Sequence, residues 1–202
     1  MSGNPNEQAQ RALTVPVSSV NVMVVDDNAA NRTAFESLLL PLGYSVFLAS
    51  SGEEALSLAT RYRFAVILLD VRMPGMDGVE TASYLRRKPF CRATPIVFMS
   101  AHPETALLVS HSALEGPTGY IFSPVDSEIL VWKVKNCVDL FLKNERVEYR
   151  ASYLWHAAEQ FQKALSAGAT TELGLRESGA RLAKAVEGLK EVLADRPAPS
   201  AD

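Results

Sequence analysis

The chain has 202 residues, 48% of them hydrophobic, and a formal net charge of -3. This length allows one ordinary domain with a smaller addition, and the apolar content is sufficient for a packed core. The charge excludes a broad basic field for DNA or for an anionic membrane. The sequence has no apolar run of membrane-spanning length, no signal-peptide pattern and no paired cysteine spacing, so we expect a cytoplasmic protein.

Strand and helix patterns alternate along the first part of the chain. The predicted strands are 20–25, 44–49, 65–69, 95–99 and 120–122. The predicted helices are 30–42, one that Ser51 caps in a capping box with Glu54, 78–87, 104–114, and a long one from Asp126 to about Ser166. This alternation predicts an α/β fold with a doubly wound, five-stranded parallel sheet, followed by an α-helical extension.

Polar side chains follow three of these strands. Asp26 and Asp27 follow the first strand, Asp70 follows the third and Ser100 follows the fourth. In such sheets, sites form at the carboxyl ends of the strands. Clustered carboxylates repel each other, and an all-oxygen cluster suits Mg²⁺, beside which a carboxylate can serve as a phosphoryl-accepting nucleophile. The alternative from spacing alone is that these acids only cap a helix and open a turn.

Four motifs carry a family resemblance. VMVVDDNAANR, ILLDVRMPGMDG, FMSA and GYIFSP follow one another in an order and spacing that resembles the receiver domain of two-component response regulators. The resemblance covers about residues 20 to 142. It implies a flavodoxin-like fold and a domain that takes a phosphoryl group from a histidine kinase or phosphotransfer protein, which makes it a phosphoacceptor rather than an enzyme.

The resemblance also implies roles for single residues. Asp70 matches the phosphoacceptor, Asp27 a direct Mg²⁺ ligand, Asp26 an acid that holds metal-bound water, the backbone carbonyl of Arg72 a further metal ligand, Ser100 the switch hydroxyl, and Tyr120 the switch aromatic. Phosphorylation is then expected to change the face formed by the helix 104–114, the strand 120–122 and the helix that begins at Asp126.

One position departs from the family pattern. Ser123 stands where the family normally has a lysine, and a serine supplies no positive charge. Three interpretations remain: the domain is phosphorylated but switches differently, it is a pseudo-receiver that acts as an unphosphorylated scaffold, or another cation substitutes. Arg72 is the first candidate for that cation and His102 the second. Because the rest of the acid site is present, we expect a functional phosphoacceptor.

The chain continues beyond a typical receiver. We expect a disordered lead over 1–18, the receiver over 19–143, a helical extension over 144–195 and a disordered tail over 196–202. A heptad spacing predicts a coiled-coil seam, made of Cys137, Leu140, Asn144, Val147, Ala151, Leu154, Ala158, Phe161 and Leu165. Asn144 is the polar member of this seam, where a buried asparagine fixes the register and favours a dimer. A break at 166–174 precedes a second amphipathic helix to about Ala194.

Two arrangements of the extension are open. In the first, residues 137–193 form a parallel homodimer, in which two helical hairpins give four helices. In the second, the long helix folds back on its own receiver. The extension is not basic enough for a DNA-binding output, so we expect a downstream protein target and no DNA or membrane partner. His156 resembles a phosphotransfer histidine only weakly, and the sequence has no cap domain of an aspartate-based phosphatase.

Overall fold

The computed structural model describes residues 20–101, 116, 118–166 and 172–194. The chain divides into two compact units, and the boundary between them falls between Phe141 and Leu142. The described strands all belong to the first unit, whereas the second unit is helical.

Five parallel strands form one sheet in the order β2-β1-β3-β4-β5. The strands are β1 (Asn21–Val25), β2 (Ser45–Ala49), β3 (Val66–Asp70), β4 (Ile96–Ser100) and β5 (Thr118–Phe122). The three central strands are buried along almost their whole length, because the sheet is covered on both faces. Their sequences are rich in valine, isoleucine and leucine, which suits strands that face apolar neighbours on both sides.

The described helices are α1 (Ala29–Leu39), α2 (Gly52–Arg61), α3 (Gly78–Arg86), α4 (Ser127–Ser166) and α5 (Glu172–Ala194). The side chains of Asn28, Ser51 and Asp77 each accept a backbone N–H in the first turn of α1, α2 and α3. Such caps satisfy donors that a helix start leaves without an intrahelical partner. The capping box differs from the prediction, because the Glu54 carboxylate accepts the N–H of Ser50 at 2.7 Å.

Several element boundaries differ from the predicted ones. α1 ends at Leu39, and Leu40–Leu42 is a 3-10 turn, because Pro41 cannot donate the N–H that an α-helix needs. β3 and β4 each begin and end one residue later than predicted, so that Asp70 and Ser100 are the last residues of strands rather than the first of loops. The predicted helix 104–114 lies outside the described residues.

One hydrophobic cluster joins the sheet to α2 and α3. It includes Met23, Ile67 and Phe98 of the strands, Ala55 of α2 and Leu85 of α3, all with at most 1% exposure. Burial of these side chains is the main force that holds the two helices on the sheet.

The helices α1 and α4 are also neighbours. Leu38 of α1 and Val131 of α4 line the same shallow groove. Leu39, Leu130 and Val134 are fully buried. The first turns of α4 are therefore part of the core of the first unit.

The second unit contains an antiparallel pair of helices, the C-terminal part of α4 and α5. The Arg150 guanidinium donates to the main-chain oxygen of Gly188. The Phe161 ring lies 3.8 Å from the position that a Cβ on Gly179 would occupy. Since Phe161 follows Arg150 while Gly179 precedes Gly188, the two helices run in opposite directions.

Candidate functional site

Three carboxylates meet at the carboxyl edge of the sheet. Asp26 and Asp27 follow β1, and Asp70 is the last residue of the neighbouring β3. One carboxylate oxygen of each residue lies within 4.8 Å of the others. Asp26 is buried, Asp70 is half-buried and Asp27 is exposed. The structure thus brings together the three acids that the sequence predicted to converge.

The start of α1 fixes the Asp26 carboxylate. Its Oδ1 accepts the backbone N–H of Asn28 at 2.8 Å, and its Oδ2 accepts the side-chain amide of Asn31 at 3.1 Å. Arg32 donates to the main-chain oxygen of Asp26 at 2.6 Å. These bonds hold one side of the acid cluster in a single orientation.

The Asp70 carboxyl is electrostatically unfavourable in this position. Burial, the Asp26 carboxylate and, as a smaller cause, the Asp27 carboxylate together raise its pKa from 3.8 to about 6. The backbone N–H groups of Arg72 and Val71 stabilise the ionised form of the carboxyl and oppose this rise. The neighbouring acids therefore favour the protonated form of Asp70, as burial does.

Gly78 permits a close approach that the sequence did not reveal. A Cβ at this position would lie 2.1 Å from the main-chain oxygen of Asp70 and 2.8 Å from the Cα of Val71. The Gly78 N–H donates to the Val71 oxygen at 3.0 Å. Only a residue without a side chain lets α3 begin directly against the end of β3. Its place in the DVRMPGMDG motif was the available signal.

Ser100 and Ser123 lie at the same edge of the sheet. Ser100 is buried at the end of β4, and its main-chain oxygen accepts the N–H of Ser123 at 2.9 Å. Asp70 pairs in register with Met99, so Ser100 is one residue beyond that pair. Ser123 is exposed and precedes a cis peptide bond to Pro124.

Tyr120 belongs to a row of three aromatic rings. Its ring stacks on Phe98 of β4 with centroids 5.9 Å apart, and on Phe122 at 6.4 Å. Burial raises the pKa of the Tyr120 hydroxyl. Tyr120 is half-buried on the edge strand β5. Its role as the switch aromatic stays a prediction.

The structure describes only one of the two residues proposed to replace the missing lysine. Arg72 is exposed two residues after Asp70, and its main chain bonds to the Asp70 carboxylate. His102 lies outside the described residues. Substitution of the missing lysine by either residue stays a prediction.

The parallel sheet and its acid cluster define a receiver-type site. Residues 22–135 match the family model described as the response regulator receiver domain. This match covers more than half of the chain, and the chain therefore belongs to the receiver family of two-component systems. The resemblance found in the four sequence motifs is confirmed.

The curated relatives include proteins named as a transcriptional regulator, a histidine kinase and a phosphodiesterase response regulator. The chain is 32% identical over 120 residues to the probable transcriptional regulator ycf29 of Porphyra purpurea, which is 59% of this chain and 57% of that protein. It is 33% identical over 114 residues to the signal transduction histidine-protein kinase BarA of Shigella flexneri, covering 55% of this chain and 12% of that protein. The cyclic di-GMP phosphodiesterase response regulator RpfG of Xanthomonas campestris pv. campestris is 31% identical over 171 residues, 83% of this chain and 43% of that protein. The matched segments thus span little more than half of these relatives at most.

Solved structures confirm the doubly wound fold. The chemotaxis protein CheY4 of Vibrio cholerae has a TM-score of 0.53 and 30% identity, covering 58% of this chain and 98% of that chain. The receiver domain of the sensor histidine kinase PA1611 of Pseudomonas aeruginosa, solved with a coordinated magnesium ion, has a TM-score of 0.54 and 26% identity, covering 60% and 98%.

The described helices include none with the length and apolar character of a membrane span. The cytoplasmic location stays a prediction from the sequence.

Proposed function

We propose that this chain is a response regulator whose Asp70 accepts a phosphoryl group in the presence of Mg²⁺. The observation that carries the proposal is the convergence of Asp26, Asp27 and Asp70 within 4.8 Å. Asp70 is the member at the end of the strand, half-buried and held by backbone N–H groups. It is the acid best placed to attack a donor at a defined position.

The acid cluster fits a hard divalent cation. It offers three carboxylates, and Mg²⁺ prefers oxygen ligands. Asp26, Asp27, Asp70 and, as predicted, the main-chain carbonyl of Arg72 would hold the ion. When bound, Mg²⁺ neutralises phosphoryl oxygens as charge moves during transfer.

The proposed reaction is transfer, and the chain is the acceptor. An oxygen of the Asp70 carboxylate forms a bond to phosphorus while the bond from phosphorus to the donor nitrogen breaks. The donor is a phosphohistidine of a histidine kinase or phosphotransfer protein. Ser100 then contacts the new phosphoryl group, and Tyr120 responds to the change. Arg72 or His102 supplies the charge that Ser123 lacks.

We also propose that the second unit associates with a second copy of the chain. Of its described side chains, only those of Ala157 and Ala185 are buried. Helices with an apolar face are stabilised when a partner covers that face. Trp155 is 73% exposed and Leu165 is 55% exposed, so an apolar surface is available for that partner.

The long helix α4 connects the two proposed activities. It begins in the first unit at Ser127 and ends in the second at Ser166. Phosphorylation adds about -1.5 to -2 charge at Asp70. We propose that this charge biases the face near β5 and α4, and that the helical extension passes the change to a downstream protein target.

A mass measurement tests the phosphoacceptor proposal. The full chain is incubated with a small phosphodonor and Mg²⁺, and its intact mass is compared with that of Asp70→Ala. We expect a gain of one phosphoryl group that is lost in the variant and after chelation of Mg²⁺. No gain under conditions that load an ordinary receiver would contradict the proposal and favour the scaffold interpretation.

A further inference from the structure

A basic surface lies at the opposite edge of the sheet from the acid cluster. It consists of the segments 61–64 and 84–94, at the ends of α2 and α3, and is called here the basic edge. Six of the 20 lysine and arginine residues lie in these two segments and none of the 23 acidic residues does, so the rest of the chain has a formal charge of -9. The overall charge of -3 is therefore distributed unevenly, with positive charge concentrated in these two segments and negative charge elsewhere.

The two segments form one continuous surface. The Thr94 hydroxyl donates to the main-chain oxygen of Phe64 at 3.3 Å. The Arg63 guanidinium lies 5.9 Å from the centre of the Phe90 ring. Both contacts join residues that are about thirty positions apart in sequence, so the surface exists only in the folded chain.

The two segments contain three arginine–aromatic pairs. Arg61 lies 5.8 Å from the Tyr62 ring and Arg87 lies 5.3 Å from the Tyr84 ring, in addition to the Arg63–Phe90 pair. The aromatic residues are 40%, 40% and 62% exposed for Tyr62, Tyr84 and Phe90. When a guanidinium lies over the face of an aromatic ring, its N–H groups point outwards in the plane of the guanidinium. In this plane two N–H groups donate in parallel to one carboxylate.

A buried arginine holds the backbone beneath this surface. The Nη1 of Arg86 donates to the main-chain oxygens of Cys91 at 2.9 Å and Thr94 at 2.5 Å. Gly116 lies against this group, since a Cβ there would be 3.1 Å from the Arg86 Nε. The segment is thus fixed before any partner arrives, which reduces the entropy lost on binding.

We infer that the basic edge binds a short acidic segment of another protein, rich in aspartate and glutamate. The surface covers only the ends of two neighbouring helices, and the rest of the chain is acidic. A long polyanion would extend from the patch onto surface of its own sign, whereas a short peptide would not. β3 runs from the basic edge to the acid cluster, and its five residues span about 17 Å. Binding at the basic edge therefore does not depend on phosphorylation of Asp70.

Binding of a probe peptide tests the inference. A short fluorescein-labelled peptide of alternating aspartate and glutamate is titrated with the full chain, and anisotropy is recorded at several salt concentrations. We expect saturable binding that weakens at least tenfold in the double variant Arg63→Glu, Arg87→Glu. The matched control is Lys163→Glu, Lys190→Glu, which changes the net charge equally at exposed lysines of the second unit and should leave binding unchanged.

A conservative variant separates the proposed geometry from charge alone. Arg63→Lys, Arg87→Lys keeps the charge but removes the planar forks, and we expect severalfold weaker binding. Circular dichroism checks that each variant is folded. Equal loss in the control, no binding of the peptide, or tighter binding of an oligothymidylate or of phosphatidylglycerol vesicles would each overturn the inference.

Discussion

Asp70 occupies a position that stabilises its protonated form. The pKa of the folded state, about 6, is above the ordinary value of 3.8, so the folded chain takes up a proton more readily than the unfolded chain. The ionised carboxyl therefore lowers stability above about pH 6, and this cost disappears as the pH falls below about 4.

Asp70→Asn should consequently stabilise the protein in the absence of Mg²⁺. At pH 7 with a chelator we expect the free energy of unfolding to rise by about 1–2 kcal/mol, a value reduced for partial solvent exposure. The gain should vanish at pH 4. Urea titrations at both pH values measure it, with Glu36→Gln, outside the acid cluster, as the control. A variant less stable than the parent at pH 7 would be inconsistent with the raised pKa.

Gly78 is the second residue on which the site depends. Gly78→Ala places a methyl group 2.1 Å from the Asp70 oxygen, so either α3 or the end of β3 must move. We expect a loss of about 1–3 kcal/mol in stability and a lower extent of phosphorylation. Gly119→Ala is the control, because its Cβ would lie 3.8 Å from Val97, an ordinary contact. If both variants behave alike, the close approach has no role.

A double substitution tests whether Arg72 supplies the positive charge that the family's lysine normally gives. If Arg72 supplies the charge that Ser123 lacks, Arg72→Ala should lower the fraction of chain phosphorylated at a given phosphodonor concentration, and Ser123→Lys should restore it in the same chain. Intact mass reports the fraction. An Arg72→Ala variant that is phosphorylated like the parent would exclude Arg72 as the substitute.

At the level of single elements, the helix pair of the second unit has few buried side chains among those that the structure describes. α5 covers part of the seam predicted on α4, since Phe161 lies next to Gly179. Trp155 lies on the same helix and stays 73% exposed. The seam of α4 therefore has one partner within the chain and a further apolar surface beside it.

Trp155→Glu should weaken self-association without loss of helix. We expect at least a tenfold higher dissociation constant for the dimer, because a charge would be buried at an apolar contact. Light scattering after gel filtration, over a range of concentrations, measures it. Trp132→Glu is the matched control, since Trp132 is 64% exposed in the first unit. A parent chain that is monomeric at all concentrations would contradict the dimer proposal.

At the scale of the whole molecule, alternating patterns predicted the sheet, and the acids at strand ends predicted the cluster. Both follow from local sequence, because the period of apolar residues identifies strands and helices, and parallel strands end at one edge. That β3 and β4 include Asp70 and Ser100 depends on the hydrogen bonds between neighbouring strands, which the local sequence does not show.

Other features depended on tertiary contacts. The need for glycine at position 78 arises from a neighbouring backbone, and no local rule shows that neighbour. The basic edge joins the segments 61–64 and 84–94, and the net charge of the chain masks it. In the second unit, Gly179 lies near Phe161 and Gly188 near Arg150, and these neighbours are on another helix.

The most direct test of the central proposal locates the phosphoryl group. The chain is phosphorylated with Mg²⁺ and a small donor, and the acyl phosphate is reduced with borohydride, which converts the modified aspartate to homoserine. Tandem mass spectrometry of the peptide that contains β3 then identifies the residue. We predict homoserine at position 70 alone. Homoserine in place of Asp26 or Asp27, or no homoserine in any peptide, would contradict the proposal that Asp70 is the phosphoacceptor.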